Sequence, residues 1–347
     1  MPRAVILGGT GPIGRATARR LLGSGWQVDL TGRDPARLPA GLAAAGARFV
    51  ASERRDPSQL AAAIGAGADL LVDCLCYTAA DAAMALPLLA GVGAAVMISS
   101  KAVYVDAAGR HVNSDAPPDF GGPVTEDQPT MAPGGGDYGT REGYGANKVA
   151  AERVLLDSGR PVTVLRPSKV HGPGGSRPRE WVFVKRALDR RPAVLLANRG
   201  AGVDHTTAAA NVAALIEAVA ASPGARVLNS ADPDAPSALE ISRVVAAHLG
   251  HVRDEVLLAG PARPGSPGAT PWDAASPIVL DTAAAATLGY RPAGDYAATV
   301  TETIDWLVLA AAGRAGGDDL SRLDEEYFWP LLDYPAEDRY LAGLASS

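Results

Sequence analysis

The sequence predicts an α/β chain: a doubly wound parallel sheet followed by a smaller mixed α/β region. Three observations predict it. Short apolar runs alternate with helical patterns through the first half, a glycine-rich turn joins the first apolar run to the first helical one, and the alternation fades after residue 166. Strand–helix alternation implies a parallel sheet with helices on both faces, because each parallel crossover needs a dozen or more residues and is usually helical.

Strands are expected at 4–7, 27–31, 48–51, 70–75 and 95–99, with helices at 15–22, 57–64 and 79–89 between them. A helix at 145–157 and a strand at 162–165 continue the series. Residues 105–143 break the rhythm with Gly, Pro and Asp, including Ala132-Pro133-Gly134-Gly135-Gly136. So long an irregular segment inside a compact domain is usually functional or disordered. It reads as a mobile flap over an active site, since it precedes the 145–157 helix, or equally as a surface insertion. Helices at 181–189, 208–221, 239–249 and 296–311 follow. The division expected is a nucleotide-binding domain at 1–166 and a mainly substrate-binding domain at 167–347, with 196–222 returning to the first. In the tail, Asp318, Asp319, Asp324, Glu325 and Glu326 read as solvated surface. Tyr327, Phe328 and Trp329 read as docking on the body or on a second subunit.

The chain has 347 residues, 47% of them hydrophobic, enough for one large nucleotide-binding fold with a smaller partner domain. A net charge of −6 argues against nucleic acid or an anionic membrane as partner, without forbidding a small anionic ligand. Met1-Pro2-Arg3 leads straight into the first strand and no run is long enough to span a bilayer, so a cytoplasmic location is expected. The only cysteines, Cys74 and Cys76, are neighbours on one apolar run. They read as buried strand residues; a Cys-x-Cys pair binds metal only with further ligands, and no second ligand pair accompanies it, so no metal site is expected.

The first strand–helix junction reads Val5-Ile6-Leu7-Gly8-Gly9-Thr10-Gly11-Pro12-Ile13-Gly14-Arg15. Such a turn lets backbone approach a pyrophosphate where side chains would block it. The helix start then offers unpaired N–H groups and the positive dipole end to the anion. This is the Rossmann-type arrangement, and it makes Gly8, Thr10, Gly11, Pro12, Ile13 and Gly14 cofactor-binding candidates. An NAD site usually ends the next strand with an acid that grips the ribose hydroxyls. Here the strand ends Leu30-Thr31-Gly32-Arg33-Asp34-Pro35. Thr31 stands near the acid position and Arg33 can pair with a 2′-phosphate, so NADP(H) is preferred over NAD(H). Asp34 is a rival acid, although Asp-Pro at a helix entry reads better as an N-cap.

Tyr144-Gly145-Ala146-Asn147-Lys148 puts Tyr and Lys four apart on one helix face. A free tyrosine loses its proton near pH 10, and a neighbouring ammonium brings proton exchange closer to neutrality. Tyr138 is a built-in contrast: Glu142, not a cation, stands four residues on. Val96-Met97-Ile98-Ser99-Ser100 is an apolar strand ending in two serines. The carboxyl end of such a strand opens on the ligand crevice of a doubly wound sheet, where a serine hydroxyl can bond a substrate oxygen.

With these motifs in order, the chain resembles the extended short-chain dehydrogenase/reductase family, also called the NAD-dependent epimerase/dehydratase family. The resemblance runs from about residue 4 to 308. It rests on Gly8–Gly14, on Ser99-Ser100 with Val103-Tyr104, and on Tyr144–Lys148 with Glu152. Leu165-Arg166-Pro167, Gly172-Pro173, Leu228-Asn229-Ser230, Leu288-Gly289-Tyr290-Arg291-Pro292 and Thr303-Ile304-Asp305-Trp306 extend it. The resemblance implies that Tyr144 is the acid/base, that Lys148 holds the nicotinamide ribose and that Ser100 orients the reacting oxygen. It implies that Asp56 contacts adenine and adds Leu75, Ser99 and Pro167 to the cofactor-binding set. Two departures bear on substrate. Members acting on nucleotide sugars commonly carry Asn where this chain has Lys169. They commonly place a diphosphate-binding arginine in the neighbourhood of Asp204 and His205. Lys169, His171 and His205 are candidate substrate contacts, although packing accounts for most lone histidines.

The function expected is hydride transfer between NADP(H) and a secondary alcohol or carbonyl of a sugar-like compound or small metabolite. One rival is an epimerase or dehydratase with transient redox, in which Glu142 is a further acid or base. Another is a non-catalytic dinucleotide sensor, which the joint presence of Ser100, Tyr144 and Lys148 disfavours. Expected partners are a small-molecule substrate, with no nucleic acid or membrane, and with a homodimer left open.

Overall fold

The computed structural model describes residues 1–262, 266–314, 323 and 325–345. The first half alternates as its sequence suggests: β1 (Arg3–Leu7), α1 (Pro12–Gly23), β2 (Gln27–Gly32), α2 (Ala40–Ala44), β3 (Arg48–Ala51), α3 (Pro57–Ile64), β4 (Ala68–Asp73), α4 (Ala79–Ala85), β5 (Val92–Ile98), α5 (Arg141–Leu156) and β6 (Val162–Pro167). There follow β7 (Lys169–His171), α6 (Trp181–Leu188), β8 (Ala193–Leu196), β9 (Thr206–Ala208), α7 (Ala209–Ala221), β10 (Arg226–Ser230), α8 (Ala238–His248) and β11 (Asp254–Leu257).

Seven parallel strands form the main sheet in the order β10-β6-β5-β4-β1-β2-β3. Successive residues of its central strands face opposite cores. Ala4 and Ile6 join Leu30, Val72, Val96 and Leu215 on one side, while Val5 and Leu7 join Leu60, Leu71, Met97 and Leu155 on the other. A strand covered on both faces needs apolar residues at every position, so these strands read as unbroken apolar runs. The seventh strand, β10, lies beyond both residue 166 and the 196–222 segment expected to return to the sheet. β8 with β11, and β7 with β9, make two small parallel pairs outside it.

Three expected elements shift for local reasons. The helix over 79–89 ends at Ala85 and tightens into a 3₁₀ stretch over Leu86–Gly91, where Pro87 lacks the N–H an α-helix needs. The helix over 296–311 is two, Tyr296–Thr299 and Thr301–Ala311. β4 stops at Asp73, whose carboxylate accepts the Leu75 N–H and the buried Arg54 guanidinium. Cys74 and Cys76 therefore sit in the turn after the strand rather than in it. Both thiols are free, and burial pushes both up, Cys74 to about 12.

A second core joins Trp181, Phe183, Trp272, Tyr296, Ile304 and Phe328. Of the tail aromatics, Phe328 docks there while Trp329 is 81% exposed; Asp318, Asp319 and Asp324 lie outside the described residues. No helix among the described residues is long and apolar enough to cross a membrane.

Candidate active site

The chain runs outward from β1 through β2 to β3 on one side and from β4 through β5 to β6 on the other. Ligands of doubly wound sheets bind beyond the strand ends where the order reverses. The glycine turn lies there. Gly8 has φ 76°, a left-handed conformation that glycine adopts without strain, and the Leu75 side chain fills the space a Cβ would take. Gly14 carries α1 directly against Gly9, whose Cα is 2.5 Å from where a Gly14 Cβ would stand. Gly11 differs from both: its missing Cβ would meet only the Gly8 carbonyl oxygen, at 3.6 Å. It is the N-cap of α1, Pro12 follows in the first turn, and no side chain caps the helix. The cradle thus has an open approach to unpaired N–H groups, which fits a dinucleotide pyrophosphate. Gly11→Leu is expected to change stability by less than about 1 kcal/mol yet weaken NADPH binding at least about tenfold, by blocking a charge-assisted contact. Gly14→Leu is expected to lower the unfolding midpoint itself, by overpacking. Paired calorimetry and urea unfolding distinguish the two.

At the end of β2, Arg33 is exposed and Thr31 is buried, its carbonyl accepting the Gly9 N–H. Asp34 caps the turn Pro35–Arg37 by accepting the Ala36 N–H, so the rival acid is occupied locally. Asp56 caps α3, accepting the Ser58 and Gln59 N–H groups. Pro167 ends β6 beside Ser230 of β10. The Ser99 hydroxyl turns away from the crevice and bonds buried Glu152, which holds Arg166 with an Nη2–Oε2 distance of 2.5 Å.

Ser100 and Tyr144 line one cavity of about 650 Å³. The Ser100 hydroxyl accepts the Ala102 N–H at 3.2 Å and so keeps its own O–H to donate. Tyr144 is in the first turn of α5, which Thr140 caps. Lys148, one turn on, is buried, and its Nζ donates to the carbonyls of Cys76 and Ile98, both at 2.8 Å. An ammonium has three donors, so one is not committed to these carbonyls. Its Nζ also sits 4.2 Å from the Tyr77 ring centre and 6.0 Å from that of Tyr144.

Tyr77 and Tyr138 carry no sequence signal as site residues, yet both line the cavity and their rings stack at 5.1 Å. Tyr138 does have a cation, supplied across the fold: Arg55 lies 4.9 Å from its ring centre. Tyr138 belongs to the 105–143 segment, which is stapled to the body. Val105 and Met131 pair with Pro129 and Val103, Val124 with Val279, and Asn147 of α5 holds the Gly136 carbonyl. Val112, Asn113 and Tyr138–Arg141 of the segment line the cavity.

Lys169 reaches the cavity, whereas His171 and His205 turn into the protein. His171 Nε2 meets the Asp232 carboxylate at 3.1 Å in full burial. Burial alone would lower its pKa, but the carboxylate outweighs that and raises it. His205 Nε2 lies against the Asp232 and Asp234 carbonyls, and its Nδ1 accepts the Leu280 N–H. Asp204 is clamped between Lys169, at 2.9 Å, and Lys101. Burial, then neighbouring cations, push both lysines well below the ordinary lysine value. Lys101 escaped the sequence reading, although its place right after Ser100 at a strand end is a signal of the same kind. Glu142 is largely exposed and meets His111 at 3.2 Å, off the cavity wall.

The profile of the NAD dependent epimerase/dehydratase family matches residues 4–229. The chain belongs to that family. Among curated relatives, a 2′-dehydrokanamycin reductase from Streptomyces kanamyceticus is 33% identical over 156 residues, which span 44% of this chain and only 37% of the relative. A dTDP-glucose 4,6-dehydratase from Bacillus anthracis, solved with NAD, superposes with a TM-score of 0.67 at 16% identity, over 95% of this chain and 100% of that one. A UDP-glucose 4-epimerase from Thermus thermophilus, also with NAD, gives 0.62 at 19% identity, over 88% and 98%. At such identities the likeness is one of fold.

Proposed function

We propose that this family member is a reductase that moves hydride between NADP(H) and a carbonyl or secondary alcohol, acting on a small sugar-like molecule rather than a nucleotide sugar. The observation that carries the reading is the convergence of Ser100, Tyr144 and Lys148 at the switch point of the sheet, with a glycine cradle leading to it. Bound NADPH supplies the hydride. Ser100 donates its O–H to the carbonyl oxygen, and Tyr144 delivers the proton that the oxygen takes up as the carbonyl becomes an alcohol. Lys148 orients the ribose with the one donor not committed to Cys76 and Ile98. The Tyr77–Tyr138 stack forms part of the cavity wall beside Tyr144.

Reduction is favoured over dehydration because the cavity offers no unpaired carboxylate among the described residues. Asp204 is the only carboxylate among the described residues lining it, and it is paired with two lysines. The same pairing argues against a nucleotide sugar, since the two positions that depart from the family pattern, Lys169 and Asp204, bond each other. Efficient saturable turnover of any nucleoside-diphosphate sugar is the result that refutes this part.

NADPH is preferred because Arg33 ends β2 exposed while Asp34 is spent on a cap. Arg33→Ala is expected to weaken NADPH binding roughly ten- to a hundredfold, the worth of one charge-assisted pair, and to leave NADH binding unchanged. Calorimetry on both proteins with both cofactors checks it; equal affinities in the parent protein would remove the preference.

A further inference from the structure

The cleft is electrically uneven along its length. On the Tyr144 side its wall carries Lys101, Arg141, Lys169, Arg177 and Arg179 against Asp204 alone, among the described residues. Beyond Lys169 and Asp204 it continues into a second chamber of about 530 Å³. There, among the described residues, the charges reverse: Asp115, Asp204 and Asp273 face it, with Lys169 as the cation.

The boundary between the two is the Lys101–Asp204–Lys169 cluster. One carboxylate faces two lysines, so with both amines protonated the cluster holds one positive charge in excess. Arg179 lines the same wall as both lysines. Lys101 and Asp204 are each 6% exposed, so water compensates little of that excess. A buried charge without a partner costs several kcal/mol, and an anion arriving from the cavity would relieve it.

We infer that the substrate carries a single carboxylate that seats on Lys101 and Lys169 at the Tyr144 side of this boundary. The inference rests on the reductase reading of the same cavity and names its substrate class. Asp204 sets the charge the site accepts: it cancels one of two ammonium groups and leaves room for one anion. A nucleoside diphosphate would bring adjacent negative charges and extend into the chamber faced by Asp115 and Asp273, where like charges repel. A small molecule with one anion and an uncharged remainder meets neither obstacle.

The test is calorimetry on the full chain saturated with NADPH, with glucuronate, glucose 6-phosphate, glucose and UDP-glucose as probes and acetate and inorganic phosphate as minimal anions. Glucuronate, the singly charged sugar, is expected to bind about tenfold or more tightly than glucose, UDP-glucose and glucose 6-phosphate, whose phosphate carries about two negative charges. Lys169→Gln should abolish the difference and Lys169→Arg should keep it, with unchanged NADPH affinity showing both variants folded. Equal binding of glucose, tightest binding of UDP-glucose or glucose 6-phosphate, an anion preference that survives Lys169→Gln, or no binding of any anion would overturn the inference. The underlying reading fails separately: anion binding without NADPH oxidation by any carbonyl compound removes the reductase and leaves the anion site. Equal reduction of neutral and anionic carbonyls removes the anion site and leaves the reductase.

Discussion

Replacing Tyr144 by Phe is expected to slow turnover by about a hundredfold or more while leaving the fold and NADPH binding in place. The substitution removes one oxygen and no ring contact. The Tyr144 hydroxyl makes no hydrogen bond among the described residues, and its ring lies 6.5 Å from that of Tyr77, a contact Phe retains. Lys148→Met is expected to damage both rate and cofactor affinity, because that ammonium also ties the turn after β4 to the end of β5 through Cys76 and Ile98. The pair separates a proton-transfer loss from a cofactor-binding loss. Near-normal turnover of the Phe variant would move the acid/base to another residue.

The largest stability effect is expected at Glu152. Its carboxylate is buried on α5, where it takes two guanidinium bonds from Arg166 of β6 and the Ser99 hydroxyl from the end of β5. Burial alone would lower the Arg166 pKa, but Glu152 outweighs it and raises it. Arg166 also lies over the Tyr104 ring, whose hydroxyl bonds Asn229 of β10. Glu152→Ala leaves a guanidinium buried without its anion and should cost about 3–5 kcal/mol. Removing both charges, as Glu152→Leu with Arg166→Met, should recover much of that loss, since the stranded charge is then gone. Urea unfolding of the single and double variants decides it; a double variant less stable than Glu152→Ala would mean that the pair holds the fold by attraction rather than by mutual compensation.

The parts that were legible in the sequence share a physical cause. Strands β1, β4 and β5 are buried on both faces and so read as apolar runs, and Tyr144 and Lys148 are one helical turn apart, so their spacing alone puts them together. β7, β9 and β11 were not legible because strands of three or four residues carrying Lys169, Thr206 or Asp254 show no period. The Lys101–Asp204–Lys169 cluster was hidden for another reason. Its members come from the end of β5, from β7 and from the approach to β9, and only the tertiary fold joins them. Tyr138 was set aside for want of a cation four residues on, while Arg55 supplies one from the loop after β3. His171 and His205 stood out as rare residues near a site, but Asp232 claims the Nε2 of His171, and Asp232, Asp234 and Leu280 claim the ring nitrogens of His205.

The central claim is net reduction, and isotope transfer tests it most directly. The protein is incubated with NADPH carrying deuterium at one or the other face of nicotinamide C4, together with a panel of sugar-like carbonyl compounds that includes acids. Reduction predicts product heavier by one deuterium from only one of the two labelled cofactors, with one NADP⁺ formed per product. A substrate that is epimerised or dehydrated while NADPH is not consumed, with no label in the released product, would contradict it.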